Sequence, residues 1–403
     1  MALRPVTTIP KSCPSLEFTR MNNLSRGSTI LFSTDDFFAE AENLLKDTEA
    51  EWKEGVYVPE GKWMDGWETR RKRISGHDFC IIKLECPSVI YGFECDTSFF
   101  TGNFTPCVSI QAARLSPSEE NLIPPRKGVR GQAASAEDMK KVERINSQKW
   151  TTLVAKTRLG AGYSDTCHNY MGVENREIWT HVRLNYFPDG GVARLRIFGR
   201  VEKSIQEILS KRPDQTGFID LLAMKNGGYC IGLSDAHYGH PRNLILEGKT
   251  RNLSDGWETA RKLQRPETLA EDDNGNLDLY GFEWAAFRLG VPGSVYRVDV
   301  DTATFKGNYP YACKVEGCFV NQNDDEEIQG NIAGIGAGFD QCENSPWRSL
   351  LNMTMLEPDK NHTFDGSSLQ KIGPISHIRV TIFPDGGLAK LRIWGVPSLL
   401  WES

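Results

Sequence analysis

His181-Val182-Arg183-Leu184-Asn185-Tyr186-Phe187-Pro188-Asp189-Gly190-Gly191-Val192-Ala193-Arg194-Leu195-Arg196-Ile197-Phe198-Gly199 returns 196 residues later as His377-Ile378-Arg379-Val380-Thr381-Ile382-Phe383-Pro384-Asp385-Gly386-Gly387-Leu388-Ala389-Lys390-Leu391-Arg392-Ile393-Trp394-Gly395. Polar and apolar residues alternate on both sides of the shared Phe-Pro-Asp-Gly-Gly. Alternation with period two is the mark of a half-buried strand. Pro-Asp-Gly-Gly supplies residues that tolerate positive φ, so the stretch predicts two strands joined as a tight hairpin. His181 and Arg183, like His377 and Arg379, fall on one strand face because they lie two apart.

The echo extends outward. Asp65-Gly66-Trp67-Glu68-Thr69 recurs identically as Asp255-Gly256-Trp257-Glu258-Thr259. Asp96-Thr97, Phe100, Gly102, Asn103 and Pro106 recur as Asp301-Thr302, Phe305, Gly307, Asn308 and Pro310. Trp150 matches Trp347, and His168-Asn169-Tyr170 resembles His362-Thr363-Phe364. Ordered blocks at a near-constant offset mean a tandem duplication. The units are expected at 27–200 and 216–396, with a polar joint at 201–215 that holds one short helix. Residues 1–26 read as a disordered N-terminal tail, and 397–403 as a C-terminal one. At this size each unit is a domain rather than a solenoid repeat. An acidic insertion near 267–277 reads as a surface loop.

Further strands are expected at 79–84, 88–95, 108–113, 282–289, 294–300 and 314–320. Helices are few, with 35–46 and 135–145 as the candidates. Many short strands punctuated by Gly, Pro and Asn predict an all-β protein of two antiparallel sandwiches, with the jelly roll as the natural form.

The net charge is −6 over 403 residues. No basic field invites nucleic acid. No apolar run approaches the roughly 20 residues that span a bilayer. The N-terminal stretch is poor in acids, a weak organelle-targeting signal. There are ten cysteines and no C-x-x-C; they do not recur between the units, so they read as buried apolar residues in a reducing compartment. The cytoplasm is the expected location, with peroxisome or mitochondrion as alternatives.

Gly66, Trp67, their partners in the second unit, and Asp189 and Asp385 read as structural. Repeated ionisable residues are the site candidates. His181, Asp96 and Glu68, with His377, Asp301 and Glu258, are the candidate acids and bases. Arg183, Arg379, Asn103, Asn308, Asp65 and Asp255 are the candidate substrate-binding groups, an arginine suiting a carboxylate. His and acidic residues in each unit make a divalent metal a cofactor candidate, though no tight ligand motif occurs. P-loop, dinucleotide and nucleophile-elbow motifs are absent.

Met64 to Arg71, Cys95 to Asn103, Leu195 to Gly199 and Thr34 to Ala39 resemble the allantoicase family, over about Gly27 to Val396. The resemblance implies paired jelly-roll sandwiches similar to galactose-binding and discoidin-like domains. It implies hydrolysis of allantoate to ureidoglycolate and urea in purine degradation. It also implies a homo-oligomer, with the hexamer as a candidate, and no nucleic-acid or membrane partner. Two other readings stay open on sequence: an inactive relative, and a sandwich that binds a small ligand without catalysis. The first unit looks the more complete in acidic residues, since Asp36 becomes Ala236.

Overall fold

The computed structural model describes residues 18–210, 217–263, 270–271, 277, 280–320 and 347–398. Residues 1–17, part of the joint (211–215), most of the acidic insertion and 399–403 lie outside the described residues.

The chain divides into two compact units, Cys13–Glu202 and a second one from Lys203 onward. In the first unit the strands are β1 (Asn22–Asn23), β2 (Thr29–Ser33), β3 (Tyr57–Val58), β4 (Gly61–Lys62), β5 (Trp67–Glu68) and β6 (Phe79–Asp96). They continue as β7 (Cys107–Ala113), β8 (Thr151–Arg158), β9 (His168–Gly172), β10 (Ile178–Phe187), β11 (Gly191–Val192) and β12 (Arg194–Val201). The second unit holds β13 (Ile219–Asp220), β14 (Tyr229–Leu233), β15 (Trp257–Glu258), β16 (Glu283–Asp301) and β17 (Ala312–Cys318). It closes with β18 (Arg348–Met355), β19 (Asn361–Asp365), β20 (Pro374–Phe383), β21 (Gly387–Leu388) and β22 (Lys390–Pro397).

The two units have the same topology. One path runs β1-β12-β6-β10-β7-β8 and the other β13-β22-β16-β20-β17-β18. The long strand organises each. The first half of β6 pairs with β2 and with β10, and its second half with β12 and β9. Between the halves sits Pro87, as Pro292 does in β16, where the ladder register breaks. Proline cannot donate to a ladder, so a break is where it fits. The strand therefore serves two layers. Ile82, Leu84, Val182 and Leu184 meet Ile90, Phe93, Leu195 and Ile197 in one core. The second unit repeats this with Phe287, Val298, Val380 and Leu391. Both units are thus the antiparallel β-sandwiches that the alternation predicts.

Three local expectations change. The Pro-Asp-Gly-Gly turn is not a hairpin. Gly190 and Gly386 do take positive φ (128° and 132°). However, β10 and β12 both pair with β6 rather than with each other. The turn carries the chain from one layer to the other, and alternation alone cannot tell the two cases apart. Nor do residues 35–46 form a long helix. Asp35 and Asp36 turn their carboxylates onto the N–H groups of Phe37 and Ala41, and only a 3₁₀ turn at Ala41–Leu45 remains. Asp competes with helix in this way. Finally, the first unit begins before Gly27: β1 pairs with β12 and Leu24 is buried.

Helix α1 (Pro117–Glu120) and helix α2 (Ala136–Glu143) follow β7. Both carry serine caps. Val142, Met139, Ile145 and Trp150 lie against Phe32, Phe79 and Ile81. This segment covers the outer face of the β2-β6-β10-β7 layer. Helix α3 (Ile205–Ser210) lies within the expected joint. No helix among the described residues is long and apolar enough to cross a membrane.

Candidate functional site

The duplication supplies an internal control. A polar contact made alike in both units serves the shared fold, whereas one made in a single unit is free to serve something else. Most of the repeated candidates fall in the first class. Asp96 Oδ1 accepts the N–H of Ser98, and Asp301 Oδ1 that of Ala303, each at 2.8 Å. Each carboxylate fixes a turn whose next residue is left-handed without being glycine, Phe99 (φ 71°) and Thr304 (φ 73°). Asn103 donates to Glu68 at 2.8 Å and Asn308 to Glu258 at 2.6 Å, so each asparagine ties its loop to β5 or β15. Burial pushes the Glu68 carboxyl up to about 7, against the Asn103 hydrogen bond. Asp65 is clamped by Lys46 and Arg194. Burial pulls its pKa upward, but these hydrogen bonds win and hold it below the usual value. Asp255 is held by Arg251, and its carbonyl accepts from Lys390 as that of Asp65 does from Arg194. Trp67 and Trp257 are fully buried and donate to the carbonyls of Asp35 and Asp235 at 2.8 Å.

His168 is tied to Glu94 at 2.7 Å, which raises its pKa to about 9. His362 instead accepts the N–H of Glu357. Ligand atoms of Asp96, Cys167 and His168 lie within 4.8 Å of one another, the one group among the described residues with the donor set for a metal.

A second set of single-unit contacts lies under the α1–α2 cover of the first unit. Arg183 and Asn185 project from the outer face of β10 and are buried. Arg183 Nε donates to Asn185 Oδ1 at 2.8 Å, its Nη1 donates to Ser147 Oγ, and its guanidinium stacks on Phe79. Among the described residues no acid pairs with it. Its Nη2 has no hydrogen bond there, and it is not among the fully enclosed unpaired atoms. Burial lowers the Arg183 pKa to about 10, still charged at neutral pH. Asn185 Oδ1 also accepts from His77 Nε2 at 3.0 Å, so His77 and Arg183 share one oxygen. The amide of Asn185 donates onward to Ser109 and Gln111. Half-buried His77 is held below its ordinary pKa by burial, helped by the positive charges of Arg183 and Lys72. With Nε2–H committed to Asn185, its Nδ1 keeps a lone pair.

His181 lies on the same face, nearly completely buried. Its Nδ1 faces Thr180 Oγ1 at 2.8 Å. Nε2 lies 3.3 Å from Glu120 Oε2 but is not aligned for a hydrogen bond. Burial lowers its pKa to about 4, against the pull of Glu120. The imidazole is neutral at neutral pH.

The matching face of the second unit is closed. Arg379 donates to Glu316 through Nε at 2.9 Å and contacts it through Nη2 at 2.7 Å. Lys314 holds the other oxygen of Glu316 at 2.7 Å. His377 is buried beside Ser376. Trp284, Cys318, Val320 and Trp347 fill the surroundings.

The sequence-predicted residues therefore do not meet in one cleft. His181 and Arg183 face the cover, opposite Lys83 and Ile81 of β6. Asp96 ends the same strand, thirteen residues beyond Lys83, on the order of 40 Å of strand at about 3.3 Å per residue. No hydrogen bond or ion pair among the described residues joins this pair to Glu68, Asn103 or Asp96. Sequence reasoning missed His77, Gln111, Ser147 and Glu120. None is repeated in the other unit, so a search for repeated residues passes over them.

The allantoicase repeat model matches residues 19–202 and 219–398. A probable allantoicase from Burkholderia mallei is 36% identical over 392 residues, covering 96% of this chain and 98% of that one. One from Pseudomonas fluorescens is 35% identical over 387 residues, covering 96% and 98%. The crystal structure of the allantoicase from Saccharomyces cerevisiae superposes with a TM-score of 0.63 at 29% identity, over 93% of this chain and 92% of that one.

Proposed function

The chain belongs to the allantoicase family, and on that premise we propose that it releases urea from allantoate, leaving ureidoglycolate, in purine breakdown. Allantoate has one carboxylate and one carbon that bears two ureido groups. The substrate needs a cation for the carboxylate. The reaction needs a proton delivered to the leaving nitrogen and one removed from water. The observation that carries the site assignment is Arg183, a buried guanidinium that pairs with no acid among the described residues. A planar cation held by Asn185 and Ser147 is set for a carboxylate. His77, oriented by the oxygen that also orients Arg183, can take the proton from water through Nδ1. The imidazolium so formed can return it to the leaving nitrogen. Water and allantoate then balance ureidoglycolate and urea. His181 and Glu120 border the same face and complete its polar lining.

The first unit is the working one in this reading, because the second has an acid on its arginine and apolar side chains around it. The metal-capable trio at Asp96 lies at the far end of β6, so the assay is run both with and without divalent cations. The buried free cysteines support a reducing compartment such as the cytoplasm, and the family resemblance supports a homo-oligomer. Light scattering checks the latter, and a monomer at assay concentration would overturn it. The deciding experiment is urea release from allantoate by purified protein against a heat-killed control. Arg183→Ala should raise KM steeply. Unchanged kinetics in that variant would remove Arg183 from the site.

A further inference from the structure

We propose that Glu316 occupies, from within the second unit, the seat that a ligand carboxylate takes at Arg183 in the first. The chain would then hold one open carboxylate site and one internally filled copy. This rests on the reading of Arg183 above and goes beyond it by naming the position that decides which unit binds.

The argument is one of register. Across the β7–β10 ladder, Arg183 sits opposite Gln111. Across the β17–β20 ladder, Arg379 sits opposite Glu316. These are the same two positions of a duplicated fold. In the second unit the carboxylate of Glu316 lies between Arg379 and Lys314, and both acid and arginine are buried. That is a paired, hydrogen-bonded arrangement, the form in which buried charge is tolerable. In the first unit Gln111 is neutral and turned away. Its amide donates to the carbonyls of Gln148 and Trp150, and its oxygen accepts from Asn185. Ser109 stands where Lys314 stands, since the two face Asn185 and Thr381 in matching register. The first unit thus keeps the arginine and omits both the acid and the second cation. A buried cation with its acid removed calls for an anion from outside. The chemistry fits a small carboxylic acid with a hydrogen-bonding ureido or amide group, whose N–H the lone pair of His77 Nδ1 can accept.

Two measurements test this on the full chain. The first is steady-state urea release by Gln111→Glu, read against Gln111→Met, which loses the same amide without gaining charge. The acid should pair with Arg183 and raise KM for allantoate at least tenfold beyond the Met variant. Equal KM values in the two variants would overturn the proposal. The second is calorimetric titration with hydantoate, a ureido acid without the second ureido group. The wild-type chain should bind one molecule, Gln111→Glu none, and Glu316→Gln more than one. If Glu316→Gln does not fold, the paired replacement Glu316→Leu with Arg379→Met should fold and bind one. Two sites in the wild type, or one retained in Gln111→Glu, would sink the idea. A wild type that binds one hydantoate yet releases no urea would count against the catalytic reading and leave the seat standing.

Discussion

At Arg183 the guanidinium is enclosed by Phe79, Asn185 and Ser147, and nothing acidic answers it among the described residues. Losing a charge-assisted hydrogen bond costs about 1.5–3 kcal/mol, or roughly 10–150-fold in binding. Arg183→Lys keeps the charge but not the planar pair of donors. It should raise KM for allantoate by at least about tenfold with a smaller change in kcat, as steady-state kinetics will show. His181 gives a pH prediction. Its pKa falls from 6.5 to about 4 on folding because burial opposes the charged ring. Between those values the unfolded chain holds the extra proton, so stability drops as pH falls through that window. The size is about 3 kcal/mol at most. Urea denaturation at pH 7 and pH 4.5 should show a smaller loss in His181→Gln than in the parent. An equal loss would place the acid sensitivity elsewhere. Legibility at this scale was partial. His181 and Arg183 stood out because they recur on one strand face. Asn185 and Gln111 are single neutral residues, and His77 lies on a loop. Only the fold brings these onto one oxygen network.

Among the elements, the tie between β5 and the loop after β6 is the hydrogen bond from Asn103 to Glu68. The Glu68 carboxyl sits at about 7 through burial, against 4.5 in the free residue. The folded state keeps a proton that the unfolded chain gives up, so this group costs stability as pH rises from 4.5 to 7. Glu68→Gln keeps an oxygen for Asn103 and removes that cost. It should stabilise the protein on the order of 2 kcal/mol at pH 8 and leave urea release in place. A collapse of turnover with an intact fold would return Glu68 to the chemistry. The strands were legible because their outward and inward residues alternate without interruption. The 35–46 stretch was not, since its helical spacing is overruled by Asp35 and Asp36 bonding the local backbone. Nor could pattern show that the Pro-Asp-Gly-Gly turn changes layers. That depends on β6 lying between its arms, and β6 is distant in sequence.

For the molecule as a whole, duplication made the fold readable and hid the site. Two copies of one pattern revealed the units and their topology. What both copies keep is mostly local ties: Asp96, Glu68 and Asn103 make in one unit the contacts that their partners make in the other. The described cysteines are eight free thiols, most of them buried. Burial pushes Cys80, Cys95 and Cys313 upward, away from the thiolate. Thermal melting and turnover should therefore be unaffected by millimolar dithiothreitol, and a shift of several degrees would mean that a disulfide forms outside this set.

β6 has a further consequence. Its main partners, β10 and β12, are encoded about a hundred residues downstream. During synthesis this strand leaves the ribosome with most of its ladder unmade, and it must wait for the rest of its unit to be translated. Non-local pairing of this kind is slow and leaves strand edges open meanwhile. The nascent first unit should need chaperone protection until about residue 201 has emerged, and β16 will repeat the delay in the second.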